Sequence, residues 1–163
     1  MTEFAGISRV LGSIEATLAR IPQDFILVLT RFSIAATFWK SGQTKISGLS
    51  IDVIEGRFDL GWPSLSPTAL ELFRTEYKLP MLSPEFAAPL AALAEHIFPV
   101  LLLLGLATRL SATALLVMTI VIEIFVYPDA YPLHGVWAAC LLLLMKLGGG
   151  RLSVDAMLGR VGG

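Results

Sequence analysis

Glu95 and His96 sit near the centre of an apolar stretch, Phe86 to Ala107, long enough to cross the ~30 Å hydrocarbon layer of a bilayer. A carboxylate there costs a few kcal/mol unless it is protonated or paired, so it points to a buried partner or a functional site. Three further apolar stretches carry comparable groups: Arg31, Lys40 and Lys45 in the first, Glu123 near the end of the third, and His134 at the start of the fourth. Counted inward from the outer end of each span at the ~1.5 Å rise of a helix, His134 lies about 3 Å deep, Glu123 about 6 Å, Lys40 about 9 Å, Glu95 about 14 Å and Arg31 about 22 Å. This ladder makes Arg31 and Lys40 the expected partners of Glu95 and Glu123.

The chemistry open to such a ladder is proton exchange. Glu95, His96, Glu123 and His134 can take up and release protons near neutral pH, and Arg31 or Lys40 can stabilise an anion beside them. Trp39 and Trp137 supply flat rings that can wall a slot. The plainer reading is a set of satisfied ion pairs that fixes helix register, with Lys45 snorkelling to the near interface. At 100° per residue Arg31, Phe38, Gly42 and Lys45 share one helix face, and Lys40 points nearly opposite. His96 is turned by the same step from Glu95, and no His-Glu-x-x-His or cysteine cluster is present, so no metal site is expected.

These residues need helices to hold them, and the composition says in what solvent. The chain is 55% hydrophobic and only 15% charged, against about 25% charged in soluble domains. No linker composition divides residues 1–163, so a single domain is expected. The net charge of −1 offers no broad basic surface, which argues against nucleic acid as a partner. A lone cysteine, Cys140, excludes an internal disulfide or a Cys-x-x-Cys redox pair.

Hydropathy places spans at about 25–46, 86–107, 110–127 and 133–147. Phe4, Ile7, Val10, Leu11, Ile14 and Leu18 recur at helical spacing before them, as in an interfacial helix. No cleaved signal peptide is read at the N-terminus. Residues 47–83 form one long polar connection. Ser66-Pro67 opens a helix in it that lies on the membrane and ends near Leu79-Pro80, while Trp62 and Tyr77 suit an interfacial belt. Arg9, Arg20, Arg109, Lys146, Arg151 and Arg160 gather on one side, and the turn at 128–132 has no Lys or Arg; both termini are therefore expected in the cytoplasm. The expected fold is all-α: an integral membrane four-helix bundle with an N-terminal interfacial helix and a long exterior loop between spans 1 and 2. Ala88, Ala91, Ala92 and Pro99 share a face with Glu95 and would let neighbouring helices, or a second copy in a homo-oligomer, come close.

Arg31 with Phe38-Trp-Lys-Ser-Gly42-Gln-Thr-Lys45, Leu79-Pro80 before a span, and Glu95 followed by Leu-Leu-Leu-Leu-Gly105-Leu-Ala-Thr108-Arg109 together resemble the DoxX family of small four-span bacterial membrane proteins. The resemblance implies a bacterial cytoplasmic (inner) membrane location and a link to respiratory redox chemistry, since relatives include DoxD-type subunits of thiosulfate:quinone oxidoreduction. It carries over Arg31, Lys45, Glu95 and Arg109 by motif. The chain departs from the family pattern where His96, Ile97, Phe98 and Pro99 follow the glutamate, which suggests a kinked helix, and in its long first loop.

The resulting expectation is a membrane-embedded, quinone-linked redox protein or subunit. Glu95, His96, Glu123 or His134 would exchange protons, and Arg31, Lys40, Lys45, Arg109, Trp39 and Trp137 would bind substrate. No haem, flavin or iron-sulfur motif is present, so a protein partner would supply the electrons. One alternative is a non-enzymatic anchor or assembly partner in a stress-response or maturation pathway, docking through the loop at 47–83. A weaker one is a small transporter for protons, metal ions or an organic anion.

Overall fold

The computed structural model describes residues 11–52 and 55–159. Phe4, Ile7, Arg9, Val10 and Arg160, each named in the expectations above, lie outside the described residues. Leu11–Leu18 (α1) is helical and leaves Leu11, Ile14 and Leu18 exposed. It meets Gln23–Gln43 (α2) at a 63° bend, because Pro22 stands in extended backbone immediately before α2 and cannot continue a helical hydrogen-bond ladder. Asp24 lies in the first turn of α2 and accepts the backbone N–H of Arg151 at 2.8 Å, tying that turn to the C-terminal segment.

Three helices follow that are long and apolar enough to cross a membrane, spanning Pro84–Leu104, Thr108–Phe125 and Pro128–Leu147, and α1 with α2 provides a fourth if that bent pair is taken as one span. Pro84–Leu104 (α4) starts where Ser83 is extended and Pro84 supplies a pre-set first turn. It runs through Pro99 as one helix and stops at Gly105, whose φ of 68° turns the chain left-handed. Leu106 N–H then reaches back to the Leu101 carbonyl at 2.8 Å, which satisfies the last carbonyls of the helix. The next helix, Thr108–Phe125 (α5), begins from Ala107, also at positive φ. A short 3-10 turn at Pro128–Ala130 leads into Tyr131–Leu147 (α6). Helices α2, α4, α5 and α6 pack around a core of Leu27, Ile34, Phe38, Leu102, Leu115, Leu141 and Leu144.

The α4–α5 corner is held from outside its own sequence. Asp155, in the short helix Val154–Met157 (α7), accepts the N–H groups of Ala107 and Thr108 at 2.8 and 2.9 Å, while its own N–H donates to the Gly105 carbonyl. A carboxylate at a helix N-terminus satisfies orphan donors and complements the helix dipole. Asp155→Ala is therefore expected to cost about 2 kcal/mol and Asp155→Asn less than that, read as a shift of the unfolding midpoint in detergent.

The connection between α2 and α4 corrects the all-α expectation. Ile46–Asp52 (β1) and Arg57–Leu65 (β2) pair antiparallel, with Leu49 opposite Leu60 and Ile51 opposite Phe58. The period-two alternation Phe58, Leu60, Trp62 against Arg57, Asp59 and Gly61 is strand patterning, embedded in a stretch otherwise rich in Gly, Ser and Pro. The Ser66 N–H donates to the Lys45 carbonyl at 2.9 Å and closes the base of this ribbon. Pro67–Leu72 (α3) follows, and a π turn at Phe73–Tyr77 extends it to the left-handed Lys78. The predicted surface helix is thus present. It is docked on the protein: Phe73 buries itself against Ala87 and Ala88, with Leu65, Leu70, Tyr77 and Ala91 around it. The Tyr127 hydroxyl, just beyond α5, donates to Glu76 at 2.7 Å and stacks edge-on against Tyr77. Acceptance by Glu76 raises the Tyr127 pKa first, and burial raises it further.

Candidate functional site

The small residue Gly42, in the last turn of α2, lies directly against the Glu95 carbonyl and the His96 ring. Pro99, four residues on, has no N–H to give that carbonyl. So α2 ends opposite the middle of α4, and the ladder drawn by measuring every span from its own end is shifted.

The shift changes the partners. Lys45, two residues past α2, reaches Glu95 Oε2 at 2.6 Å, and both side chains are almost wholly buried. Ser41 completes the group: its hydroxyl donates to Glu95 Oε1 at 3.1 Å and accepts from Lys45 Nζ at 3.0 Å. Lys45 therefore does not snorkel, and neither Arg31 nor Lys40 pairs with Glu95. Lys40 is exposed and forms no ion pair among the described residues.

His96 faces away from Glu95, as its helical step requires. One ring nitrogen, Nδ1, lies 2.6 Å from the Ala92 carbonyl and must donate to it. Nε2 is then the acceptor for the Gln43 amide at 2.9 Å, which fixes a neutral imidazole from the network. The Gln43 oxygen in turn accepts the Ile51 N–H of β1 at 2.8 Å. Trp39 donates its indole N–H to the Ile51 carbonyl at 3.2 Å and stacks edge-on to His96 with centroids 5.0 Å apart. Every polar atom of His96 is engaged, so this centre locks α2, α4 and β1 together.

A second centre joins α5 and α6. Glu123 Oε2 lies 2.5 Å from His134 Nδ1; the histidine is buried, while the carboxylate side chain keeps 28% exposure. His134 packs on Trp137 at 4.9 Å, and Trp137 packs on Phe38 of α2 at 5.6 Å. Glu123 thus pairs with an imidazole on the neighbouring helix, not with Lys40 or Arg31. An acid and a base in contact, partly open and backed by aromatic rings, can hold and pass on a proton.

Arg31 belongs to neither centre. It is buried at the other end of α2, where Nη2 donates to the Leu152 carbonyl at 2.5 Å and Nη1 lies against Gly105. Thr108, Ser111 and Ser153 are buried at the same end. Arg109 is exposed there and reaches the Lys146 carbonyl at 3.4 Å. An open groove of about 510 Å³, lined by Pro22, Asp24, Phe25, Val28, Arg151 and Leu152, also lies on this side, away from Glu95 and Glu123. No three His, Cys, Asp or Glu side chains converge as metal ligands among the described residues.

Sequence reasoning missed Ser41, Gln43 and Asp155. Ser41 and Lys45 are four residues apart and flank the Gly42 contact, a spacing that places both on one helix face. Asp155 acts through backbone N–H groups, and Gln43 bridges the His96 ring to the Ile51 N–H, contacts that no sequence pattern reveals.

A quinone, the group implied by the resemblance, needs a ring slot and a proton-exchanging side chain. The Glu95–His96 centre does not fit: His96 is committed to Ala92 and Gln43, and the Glu95 carboxylate to Lys45 and Ser41. At the Glu123–His134 flank a partly open carboxylate stands beside the His134 and Trp137 rings, tilted 51° to one another. Comparison with curated proteins and with solved structures gives no match. The DoxX family model matches residues 26–128, well over half of the chain, a range that takes in α2, the ribbon, α4 and α5 with all their buried charges. The chain belongs to the DoxX family of membrane proteins.

Proposed function

We propose that this DoxX protein is a redox-associated subunit of the bacterial cytoplasmic membrane that exchanges protons with a quinone at the Glu123–His134 flank. The observation that carries the reading is the 2.5 Å contact between a partly exposed Glu123 and a buried His134 set on Trp137. A bound quinone supplies two-electron, two-proton carrier chemistry, and a protein partner supplies the electrons. His134 and Glu123 hold a proton between Nδ1 and Oε2. Trp137 presents flat apolar surface beside them, and the Lys45–Glu95 lock keeps α2 in place so that the buried Phe38 backs Trp137.

In this reading the helices cross the bilayer four times as a bundle, α1 lies in the interface and both termini face the cytoplasm. Arg20, Arg109, Lys146 and Arg151, near the inner ends of the helices, support that orientation.

The test is lipid extraction of the purified protein followed by ultraviolet difference spectra under oxidation and reduction. Wild type is expected to carry quinone with a pH-dependent redox response. Glu123→Gln and His134→Gln are expected to keep the fold and lose the pH dependence, with quinone-linked turnover down about 100-fold, the scale of a lost general acid–base. Absence of bound quinone, together with no response to added quinone, would overturn the reading and favour the anchor role.

A further inference from the structure

The groove at the start of α2 has two walls, and both are fixed. One is the first turns of α2, where Pro22, Phe25 and Val28 line it. The other is the segment after α6. Gly150 passes so close to α2 that a Cβ built on it would lie 2.9 Å from Leu27 Cδ1 and 3.0 Å from Asp24 Oδ1, and Arg31 holds Leu152 through its carbonyl. Phe25 is 60% exposed and Leu152 66%, so the apolar side of the groove is open. Asp24 and Arg151 complete the lining. The Arg151 backbone N–H donates to Asp24, yet no ion pair joins the two side chains. A guanidinium and a carboxylate, not paired with each other, thus stand beside an apolar wall.

Contacts between the helices set the level of this groove. Arg31 lies against Gly105, where α4 stops, and Asp155 caps the start of α5 at Ala107 and Thr108. Phe25 and Val28 precede Arg31 by six and three residues, which at the ~1.5 Å rise of a helix puts them about 9 and 5 Å beyond the end of α4. Arg151 and Leu152 likewise follow the end of α6 at Leu147. The apolar helices end here, and the headgroup layer, which adds about 5–8 Å on each side of the hydrocarbon, begins. A ligand at this level can lay a chain along Phe25, Val28 and Leu152 and set a polar head between Arg151 and Asp24. Arg151 calls for a phosphate. An anionic lipid would set its surplus charge against Asp24, whereas a primary ammonium answers that carboxylate and donates hydrogen bonds to it.

We propose that this groove binds a phospholipid with a primary-amine headgroup, its phosphate on Arg151, its ammonium on Asp24 and an acyl chain along Phe25, Val28 and Leu152. The bound lipid bridges the start of α2 to the segment after α6, beside the Arg31–Leu152 and Asp24–Arg151 hydrogen bonds. The site is independent of the quinone reading, since the groove lies away from Glu123 and His134.

Native mass spectrometry of the protein released from nanodiscs of equal parts phosphatidylethanolamine, phosphatidylglycerol and phosphatidylcholine counts the lipids that stay bound. Phosphatidylethanolamine is expected to be retained about 10-fold over the other two, the scale of a hydrogen bond to a charged group. Phosphatidylcholine is the informative rival, because its quaternary ammonium cannot donate to Asp24. Arg151→Gln should lower retention about 5-fold, the scale of one basic contact with a lipid surface. Asp24→Asn still accepts the Arg151 N–H, so it should keep the fold, bind lipid and lose the preference. Val28→Trp fills the groove with both charges in place and should lose the lipid. Retention in the bulk proportions, or a preference that survives Asp24→Asn, would overturn the proposal. Preference for phosphatidylglycerol would do so too, since basic surface alone then suffices, as would an equal loss from Lys146→Gln, an exposed cation outside the groove lining. Displacement by glycerophosphoethanolamine, the same head without chains, would equally overturn it.

Discussion

Replacing Lys45 with Met is expected to destabilise the protein by about 3–5 kcal/mol, the usual cost of removing one partner from a buried ion pair. Glu95 is 2% exposed and Lys45 6%, so neither can turn to water when the other is gone. Glu95→Gln should cost less than Glu95→Leu, because the amide still accepts from Ser41, although Lys45 then stays buried without its counter-charge. The informative variant is the double, Lys45→Met with Glu95→Leu. Burying two apolar side chains of similar volume is often neutral to stabilising by about 1–4 kcal/mol relative to the pair, so most of the single-variant loss should return. Unfolding by denaturant in detergent micelles, followed by circular dichroism, measures the cycle. Single variants within about 0.5 kcal/mol of wild type would show that the pair is hydrated and not a lock. The same cycle separates the two centres: Glu123→Gln is expected to change turnover with little change in stability, and Lys45→Met the reverse.

That contrast shows where the sequence was informative. The apolar runs and their punctuation gave the helices to within two or three residues. Gly105 and Ser83-Pro84 set the ends of α4 more sharply than hydropathy does, since backbone conformation stops a helix wherever the apolar run happens to end. Helical spacing also put Arg31, Phe38 and Gly42 on one face of α2, and all three are buried, as is Lys45 two residues beyond its end. Depth was the quantity that failed. It assumed that neighbouring spans begin level with one another, whereas α2 stops opposite Glu95 and α3 with its π turn packs on the first turns of α4. Lys45 thereby moves from the interface to the buried carboxylate, and Arg31 moves beside Gly105 and Leu152. The ribbon was hidden for a related reason. Its alternation is plain only over Phe58 to Trp62, and its partner strand carries Ser and Gly, so pairing across a turn, not local propensity, decides it.

Gly105→Ala tests the other end of the bundle and should show the second large loss. Two separate costs fall on one methyl group. The φ of 68° is left-handed, which costs a non-glycine residue about 1–2 kcal/mol. The new Cβ would also run into Arg31 Nη1 and the Ser153 Cβ, the latter at 2.5 Å, and overpacking of this kind costs about 1–3 kcal/mol. Gly159 separates the terms, because its φ of 71° is nearly the same and nothing lies within 4 Å of a Cβ built there. Gly159→Ala should therefore show only the backbone cost, and the excess at Gly105 measures how tightly Arg31 is held. Arg31→Ala leaves the Leu152 carbonyl without its donor and is destabilising alone, yet it removes the atom that the Gly105 methyl strikes. Added to Gly105→Ala it should cost less than it does in wild type. Strict additivity of the two changes would mean that Arg31 is free to move and does not hold the Gly105 corner.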